Sequence, residues 1–215
     1  MKAGILGSGI VGRVLASAFL KEGYDVMLGT RDITKDEVAM WKAANPEGQT
    51  GTFAETAAFA DIIVLAAGGS VAGKVIEMAG IPNFSGKVVI DATNPIAPAA
   101  PENGVLKFFT TLNRSLMEDI QEQLSEAHVV KAFSCIGNAF MYKPDFGGIQ
   151  PTMFICGNND EAKKTVTGIL TAFGFETADM GKAEAARAIE PLCILWCIPG
   201  ITKGEWSHAF KLLKK

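Results

Sequence analysis

Short apolar runs alternate with amphipathic segments along the first 130 residues. The runs are rich in Val, Ile and Leu, as buried parallel strands are, and they cover residues 2–6, 24–28, 61–66, 87–91 and 128–133. Apolar residues at helical spacing predict a helix from Ile10 to Gly23 and further helices over 35–44, 52–58, 71–79 and 115–127. Strands that alternate with helices are typical of an α/β domain with a mostly parallel sheet.

The regular alternation weakens beyond residue 91. Pro95, Pro98 and Pro101 mark an irregular segment, because proline lacks the amide hydrogen that a central strand needs. Later residues predict extended segments and helices: strands at 152–156 and 175–178, and helices at 161–173, 183–198 (kinked or split by Pro191) and 205–213. We expect this part to pack on the sheet as a smaller α/β and helical unit.

A glycine turn separates the first strand from the first helix. The run Gly7-Ser-Gly-Ile-Val-Gly12 has the spacing G-x-G-x-x-G. In this pattern Gly7 permits a sharp turn, Gly9 lets the backbone approach a pyrophosphate, and Gly12 lets helix and strand pack closely. The motif predicts a Rossmann domain with a doubly wound parallel sheet over residues 1–150, followed by a small C-terminal domain over 151–215.

The end of the second predicted strand indicates which dinucleotide is bound. An NAD site usually places Asp or Glu there to accept from the ribose 2′-hydroxyl, whereas this chain has Thr30 and Arg31, with Lys35 one helical turn later. A hydroxyl, a guanidinium and an ammonium suit a 2′-phosphate, so we predict NADP(H). Asp32 complicates this interpretation, since its carboxylate could pair with Arg31 or turn toward the ribose.

Composition excludes several classes of function. A net charge of −3 offers no basic face for nucleic acid. The four cysteines lack the spacing of a zinc site, so we expect reduced structural thiols and no metal. Lys2 leads directly into a strand, which leaves no signal peptide, and the apolar run 191–198 is too short to span a bilayer. We expect a cytoplasmic protein without a membrane partner.

With these residues in place, the chain resembles the coenzyme F420-dependent NADP oxidoreductase family. The resemblance covers nearly the whole length and is carried by the following segments: the glycine turn 7–12, Gly-Thr-Arg31 with Lys35, Asp61–Leu65, Val129–Phe133, Cys156–Lys164 and Glu190–Leu195. Membership implies a Rossmann domain followed by a small C-terminal domain, and two chains that commonly pair as a homodimer.

The resemblance also implies which residues bind each part of NADP(H). By this resemblance, the 2′-phosphate is bound by Thr30, Arg31 and Lys35. The pyrophosphate is bound by the backbone of the glycine turn: Gly7, Ser8, Gly9, Ile10, Val11 and Gly12. The nicotinamide lies against segments that follow predicted strands: Ala66, Ala67 and Gly68, with Asn94, Pro95, Gly137 and Asn138 nearby. Ligands collect at this edge of a parallel sheet, which agrees with the assignment.

The implied chemistry is direct hydride transfer between the nicotinamide and a planar acceptor, such as coenzyme F420 or a flavin. The cofactors carry such a reaction, so no catalytic acid or base is required and none is assigned. His128 at the start of a strand and His208 in the last predicted helix are interpreted as structural or surface residues.

The chain departs from the family at the acceptor side of the cleft. Ser134 stands where the family has a histidine, and Gly68-Gly69 where it has a proline–aromatic pair. The acceptor could therefore be a free flavin, a quinone or a ferric chelate instead of F420. Two other functions stay open, namely a non-catalytic NADP(H)-binding sensor and a reductase of a small keto or imino acid. The reductases usually carry a longer helical C-terminal domain than the roughly 30 residues expected here after the last strand.

An apolar patch near the C-terminus has two interpretations. Residues 192–201 include Leu192, Leu195, Trp196 and Ile201 with few charges. They form either a buried helix of the small domain or a homodimer interface, in which tryptophan is enriched. Trp206 is a candidate aromatic wall for the acceptor pocket.

Overall fold

One eight-stranded sheet runs through the computed structural model, which describes residues 1–215. Its strands are β1 (Lys2–Leu6), β2 (Asp25–Thr30), β3 (Gln49–Thr52), β4 (Ile62–Leu65), β5 (Val88–Asp91), β6 (His128–Lys131), β7 (Thr152–Gly157) and β8 (Glu176–Asp179). The order across the sheet is β3-β2-β1-β4-β5-β6-β7-β8. Strands β1 to β6 are parallel, β7 is antiparallel to β6, and β8 is parallel to β7. The predicted Rossmann sheet is confirmed, and its strand order reverses between β1 and β4.

Helices cover both faces of the sheet. They are α1 (Ile10–Lys21), α2 (Asp36–Ala44), α3 (Phe53–Phe59), α4 (Ala72–Ala79), α5 (Leu116–Gln123), α6 (Asp160–Ala172), α7 (Ala186–Ile189) and α8 (Pro191–Lys203). One apolar core joins α1, α2 and α6 to the sheet, and a second joins α3, α4, α5 and α7 to the other face. Successive β4 residues contribute to opposite cores, Val64 to the first and Leu65 to the second, which explains why the strand is continuously apolar.

Strand β3 was not predicted from the sequence. Its residues Gln-Thr-Gly-Thr contain no large apolar side chain, and it lies at the edge of the sheet, where it pairs only with β2. Thr52 ends this strand and also caps α3, since its hydroxyl accepts from the Glu55 amide while the Glu55 carboxylate accepts from the Thr52 amide. Residues Gln49–Thr52 are thus held by backbone pairing and a cap instead of by burial.

The C-terminal residues extend the same sheet. Strands β7 and β8 continue beyond β6, and Met153, Ile155 and Phe173 belong to the same apolar core as α1. The segment predicted as a small domain, 151–215, is therefore built as an extension of the Rossmann sheet.

The prediction of a last helix over 205–213 is wrong. Helix α8 ends at Lys203 and is capped by Gly204, whose φ of 74° and ψ of 13° are left-handed. The residues beyond it form an extended C-terminal tail (205–215) that contains no helix. The tail is fixed to the start of β7, because the Thr152 amide donates to the Phe210 carbonyl at 2.9 Å and the Leu212 amide donates to the Thr152 hydroxyl at 3.0 Å. His208 lies in this tail and not in a helix.

One helical stretch is long and apolar enough to cross a membrane, judged by length and composition alone. This stretch covers Ala183–Lys203, 21 residues. The expectation that the apolar segment is too short to span a bilayer, which was drawn from residues 191–198, is therefore wrong as far as length is concerned. In the structure this stretch packs on the sheet, because the carboxylate of Glu190 within it forms an ion pair with Lys131 of β6 at 2.9 Å.

Candidate functional site

The glycine turn after β1 is shaped by close backbone contacts. Gly7 has a φ of +133°, and a Cβ on it would lie 2.4 Å from the Ala66 carbonyl oxygen. A Cβ on Gly12 would lie 1.7 Å from the Gly7 carbonyl oxygen, so α1 packs directly on the turn. Around Gly9, by contrast, a Cβ would meet no atom within 4 Å. The turn therefore leaves open space at the position where a pyrophosphate would approach.

The start of α1 presents free backbone amides beside that space. Gly9 is the N-cap residue, no side chain caps the helix, and its first turn contains no acidic residue. The amides and the helix dipole thus have no competing partner, which is the arrangement that binds anions at helix N-termini. The carbonyl of Ser8 accepts from the Arg13 guanidinium at 2.7 Å, which fixes the outer side of the turn.

Thr30 connects this turn to the end of β2. Its hydroxyl lies 3.1 Å from the Ser8 hydroxyl, and it also bonds the main chain of Asp32 at 3.1 Å and 3.3 Å. Thr30 is only 1 % exposed, so the structure shows it holding the loop together. Contact of its hydroxyl with a 2′-phosphate stays a prediction.

Asp32 does not form an ion pair with Arg31, which was one of the two roles left open by the sequence. Its carboxylate accepts from the Thr34 amide at 2.9 Å and from the Thr34 hydroxyl at 2.6 Å. These two hydrogen bonds lower the pKa of the exposed Asp32 carboxyl. Arg31 is exposed and has no ion pair, and Lys35 has only a 3.9 Å contact with Glu37. Both predicted phosphate-binding cations are therefore available to an anion.

Three loops meet at the same edge of the sheet, beside the glycine turn. Ala66 to Gly68 follow β4, Asn94 and Pro95 follow β5, and Gly137 and Asn138 follow β6. A Cβ on Gly69 would lie 2.1 Å from the Asn94 carbonyl oxygen, so the first two loops touch. The Asn94 side-chain amide donates to the Ser134 carbonyl at 3.1 Å, which joins the second loop to the third. The structure thus brings together the residues predicted to surround the nicotinamide.

Two polar atoms in these loops have no hydrogen-bond partner. They are the side-chain oxygen of Asn94 and the hydroxyl oxygen of Ser134, both buried. A buried polar atom without a partner costs about 1–3 kcal/mol, so such atoms are expected where a ligand completes the site. A ligand with amide or carbonyl groups fits this part of the cleft.

A buried ion-pair triad, which was not predicted from the sequence, lies beneath the loops. The Lys131 ammonium contacts the Asp91 carboxylate at 2.7 Å, the Glu190 carboxylate at 2.9 Å and the Thr93 carbonyl at 2.8 Å. Burial lowers the pKa of Lys131, but the charges of Asp91 and Glu190 outweigh it and hold that pKa above its usual value. The one available signal was a lysine inside the apolar run Val129–Phe133.

Glu190 extends the triad to α5. Its two carboxylate oxygens accept from the backbone amides of Leu116 and Met117, at 3.1 Å and 3.0 Å. The triad therefore connects the ends of β5 and β6 to the first turn of α5 and to the junction between α7 and α8.

An aromatic cavity adjoins the loop after β6. Its volume is about 380 Å³, and it is lined by Gly137, Asn138, Ala139, Phe140, Trp196, Trp206 and Ser207. The ring centroids of Trp196 and Trp206 are 5.5 Å apart. A groove of about 500 Å³ runs along the outer face of α1 between α2 and Tyr142, and it does not include the loops after β4 and β5.

The chain is similar to proteins of known family. Residues 2–95 match the family model described as NADP oxidoreductase coenzyme F420-dependent. Metalloreductase STEAP3 of Rattus norvegicus is 30 % identical over 204 residues, which are 92 % of this chain and 38 % of the rat protein. The chain thus spans less than two fifths of that relative.

Two other matches cover nearly the whole of both proteins. The F420-dependent NADP reductase of Methanocaldococcus jannaschii is 28 % identical over 202 residues, 89 % of each protein. The crystal structure of a candidate F420-dependent NADP-reductase from Arthrobacter sp. FB24 superposes with a TM-score of 0.92 at 29 % identity and 99 % coverage of both chains. The chain is therefore similar to the coenzyme F420-dependent NADP oxidoreductase family over residues 2–95 and to proteins named as NADP reductases over nearly its whole length, which supports an NADP-dependent oxidoreductase.

Proposed function

We propose that this chain binds NADP(H) across the carboxyl edge of its sheet and transfers a hydride between the nicotinamide and a planar acceptor such as coenzyme F420 or a flavin. The observation that carries the proposal is the position of Arg31. Arg31 is exposed, has no ion pair and directly follows Thr30, the last residue of β2, whose hydroxyl lies 3.1 Å from the Ser8 hydroxyl of the glycine turn.

In this proposal, different residues of the chain bind different parts of the nucleotide. The amides at the start of α1 hold the pyrophosphate, and Arg31 and Lys35 hold the 2′-phosphate. Hydrogen bonds to charged groups contribute about 1.5–3 kcal/mol each, which is enough for a large preference over NAD(H). Asn94, Gly137 and Asn138 enclose the nicotinamide, and the unpartnered Asn94 oxygen is an acceptor for its carboxamide.

The redox step needs no proton from the protein. NADPH, when bound, would supply the hydride from its C4 position and leave as NADP⁺, and the acceptor would become fully reduced by that hydride and one proton from water. The protein positions the two rings and excludes water. Burial raises the pKa of the Cys135 thiol, which follows β6, to about 12, so this thiol does not act as a base near neutral pH.

Turnover with defined acceptors tests the proposal. The protein is mixed with NADPH and, separately, with F420, FMN, FAD and a quinone, and loss of the near-ultraviolet absorbance of NADPH is followed. We expect turnover with at least one of the planar acceptors. Tight NADPH binding without turnover with any of them would contradict the oxidoreductase proposal and favour a non-catalytic sensor.

The homodimer and the cytoplasmic location stay predictions. Analytical ultracentrifugation would test whether the protein is a dimer.

A further inference from the structure

We propose that the aromatic cavity beside Gly137 and Asn138 holds the acceptor, and that this acceptor is an uncharged aromatic ring system stacked on Trp206. The inference rests on the proposed hydride transfer, since it assigns the second substrate of the same site. It goes further by locating the acceptor ring and by naming the residue that selects it.

Trp196 forms the fixed inner wall of the cavity. It is only 8 % exposed, and its indole nitrogen donates to the His208 carbonyl at 2.9 Å. The His208 ring stacks on it at a centroid distance of 5.0 Å. A Cβ on Gly137 would lie 2.6 Å from the Trp196 ring, so this wall touches the loop that follows β6. Trp196 is thus a rigid boundary between the cavity and the loop predicted to contact the nicotinamide.

Trp206 forms the accessible wall. Its ring packs closely over Gly200, where a Cβ would lie 2.2 Å from it, and yet the residue is 45 % exposed. The C-terminal tail that carries it is fixed to β7 through Thr152 and Phe210. An exposed indole held in one place by the backbone around it is preorganised to stack on a planar ligand, which reduces the entropy lost on binding.

The lining of the cavity indicates the chemistry of its occupant. No lining residue is charged, and the polar side chains are Asn138 and Ser207. A volume of about 380 Å³ is within the range of small-molecule sites, roughly 300–1,000 Å³. An aromatic ring with carbonyl groups at its edge matches these walls, whereas a highly charged metal chelate would lose hydration without gaining a countercharge. The cavity therefore favours a flavin or deazaflavin ring over a ferric chelate.

The experiment measures riboflavin binding to the full chain saturated with NADP⁺, by quenching of flavin fluorescence. Riboflavin is chosen because it carries the ring without a phosphate. We expect Trp206→Ala to weaken riboflavin binding about tenfold, which corresponds to about 1.4 kcal/mol, because alanine removes the ring on which the flavin stacks. Trp206→Phe keeps an aromatic ring there and should stay within about threefold of the unmodified protein. The matched control is Phe59→Ala, a partly exposed aromatic next to Lys2 at the opposite edge of the sheet, which should bind like the unmodified protein.

A second variant tests the inference independently in case Trp206→Ala misfolds. Ser207→Phe adds a ring to an exposed position that lines the cavity, so it should block riboflavin and leave NADP⁺ affinity unchanged. Unaltered riboflavin binding by both Trp206→Ala and Ser207→Phe would overturn the inference, and so would NADP⁺-saturated protein that binds no flavin. Absence of NADP⁺ binding is a different failure, which would remove the proposed function itself.

Discussion

At the scale of single residues, the proposal makes Arg31 the residue that distinguishes NADPH from NADH. We expect Arg31→Ala to weaken NADPH binding at least tenfold, which corresponds to about 1.4 kcal/mol, and to leave NADH binding unchanged, because only NADPH carries the 2′-phosphate. Calorimetric titration with both nucleotides measures the two affinities. Lys74→Ala removes an exposed cation paired with Glu77 on α4 and serves as the control. Equal losses for NADPH and NADH would assign Arg31 another role.

Two glycines of the same turn should respond differently to alanine. Gly9→Ala meets no atom of the protein, so we expect its free energy of unfolding to change by less than about 1 kcal/mol while NADPH affinity falls steeply. Gly12→Ala forces a Cβ onto the Gly7 carbonyl and should destabilise the fold by roughly 1–3 kcal/mol. Urea unfolding and NADPH titration separate the two effects. If Gly9→Ala bound NADPH normally, the pyrophosphate would have to lie elsewhere.

The sequence predicted these residues well and others not at all. Gly7 and Gly12 were predicted because a sharp turn and a close helix–strand contact require glycine, and the structure shows both close approaches. The role of Arg31 stays a prediction. The Lys131 triad was missed because its three members are far apart in sequence and meet only after the sheet has formed. The hydrogen bond between the Thr30 and Ser8 hydroxyls was likewise not predicted, because the two residues are 22 positions apart, whereas contact of Thr30 with the 2′-phosphate stays a prediction.

At the scale of elements, the triad holds α7 and α8 to the sheet. We expect Lys131→Met to lower the free energy of unfolding by about 3–5 kcal/mol, because it leaves the carboxylates of Asp91 and Glu190 buried without a countercharge. Lys107→Met removes an exposed ion pair with Glu102 and should cost less than about 1 kcal/mol. Chemical denaturation compares the two variants. Similar losses would mean that the buried pair contributes no more than a surface pair does.

A second ion pair makes stability depend on pH at the start of α5. Arg187 binds the Glu118 carboxylate and lowers the pKa of Glu118 to about 2 from its ordinary 4.5. Since the folded state binds this proton more weakly, the stabilisation is present above pH 4.5 and is lost as the pH falls toward about 2. Glu118→Gln should therefore lose less stability than the unmodified protein between pH 5 and pH 3, by an amount on the order of 2 kcal/mol. Urea unfolding of both proteins at several pH values measures this difference. If the difference in unfolding free energy between them stayed constant from pH 5 to pH 3, the assignment would be contradicted.

Elements were predictable where burial leaves a pattern. Strand β4 is apolar throughout because it is covered on both faces, and it was found within one residue at each end. Strand β3 left no pattern, since backbone pairing at an edge holds it. The C-terminal tail was mistaken for a helix because its composition permits one, whereas contacts of Trp206 with Gly200 and of Phe210 with Thr152 hold it extended.

At the scale of the whole molecule, the residues that most resemble the family are not the residues that form the candidate site. The run Cys156–Lys164 contributed strongly to the resemblance, yet β7 is antiparallel to β6, with Lys131 opposite Cys156 and Val130 opposite Gly157. The residues after β7 therefore lie toward the edge where β6 begins, away from the glycine turn and the aromatic cavity. This run therefore indicates the fold only. The proposed nucleotide-binding residues were predicted from the spacing of glycines and from positive charge after β2.

The direction of β7 has a practical consequence. The start of α6 carries Lys164, whose side chain is 77 % exposed and contacts only Glu161 across one helical turn. A fluorophore or a surface tether attached there would project from the opposite end of the sheet, leaving both substrates an unobstructed route to the cleft.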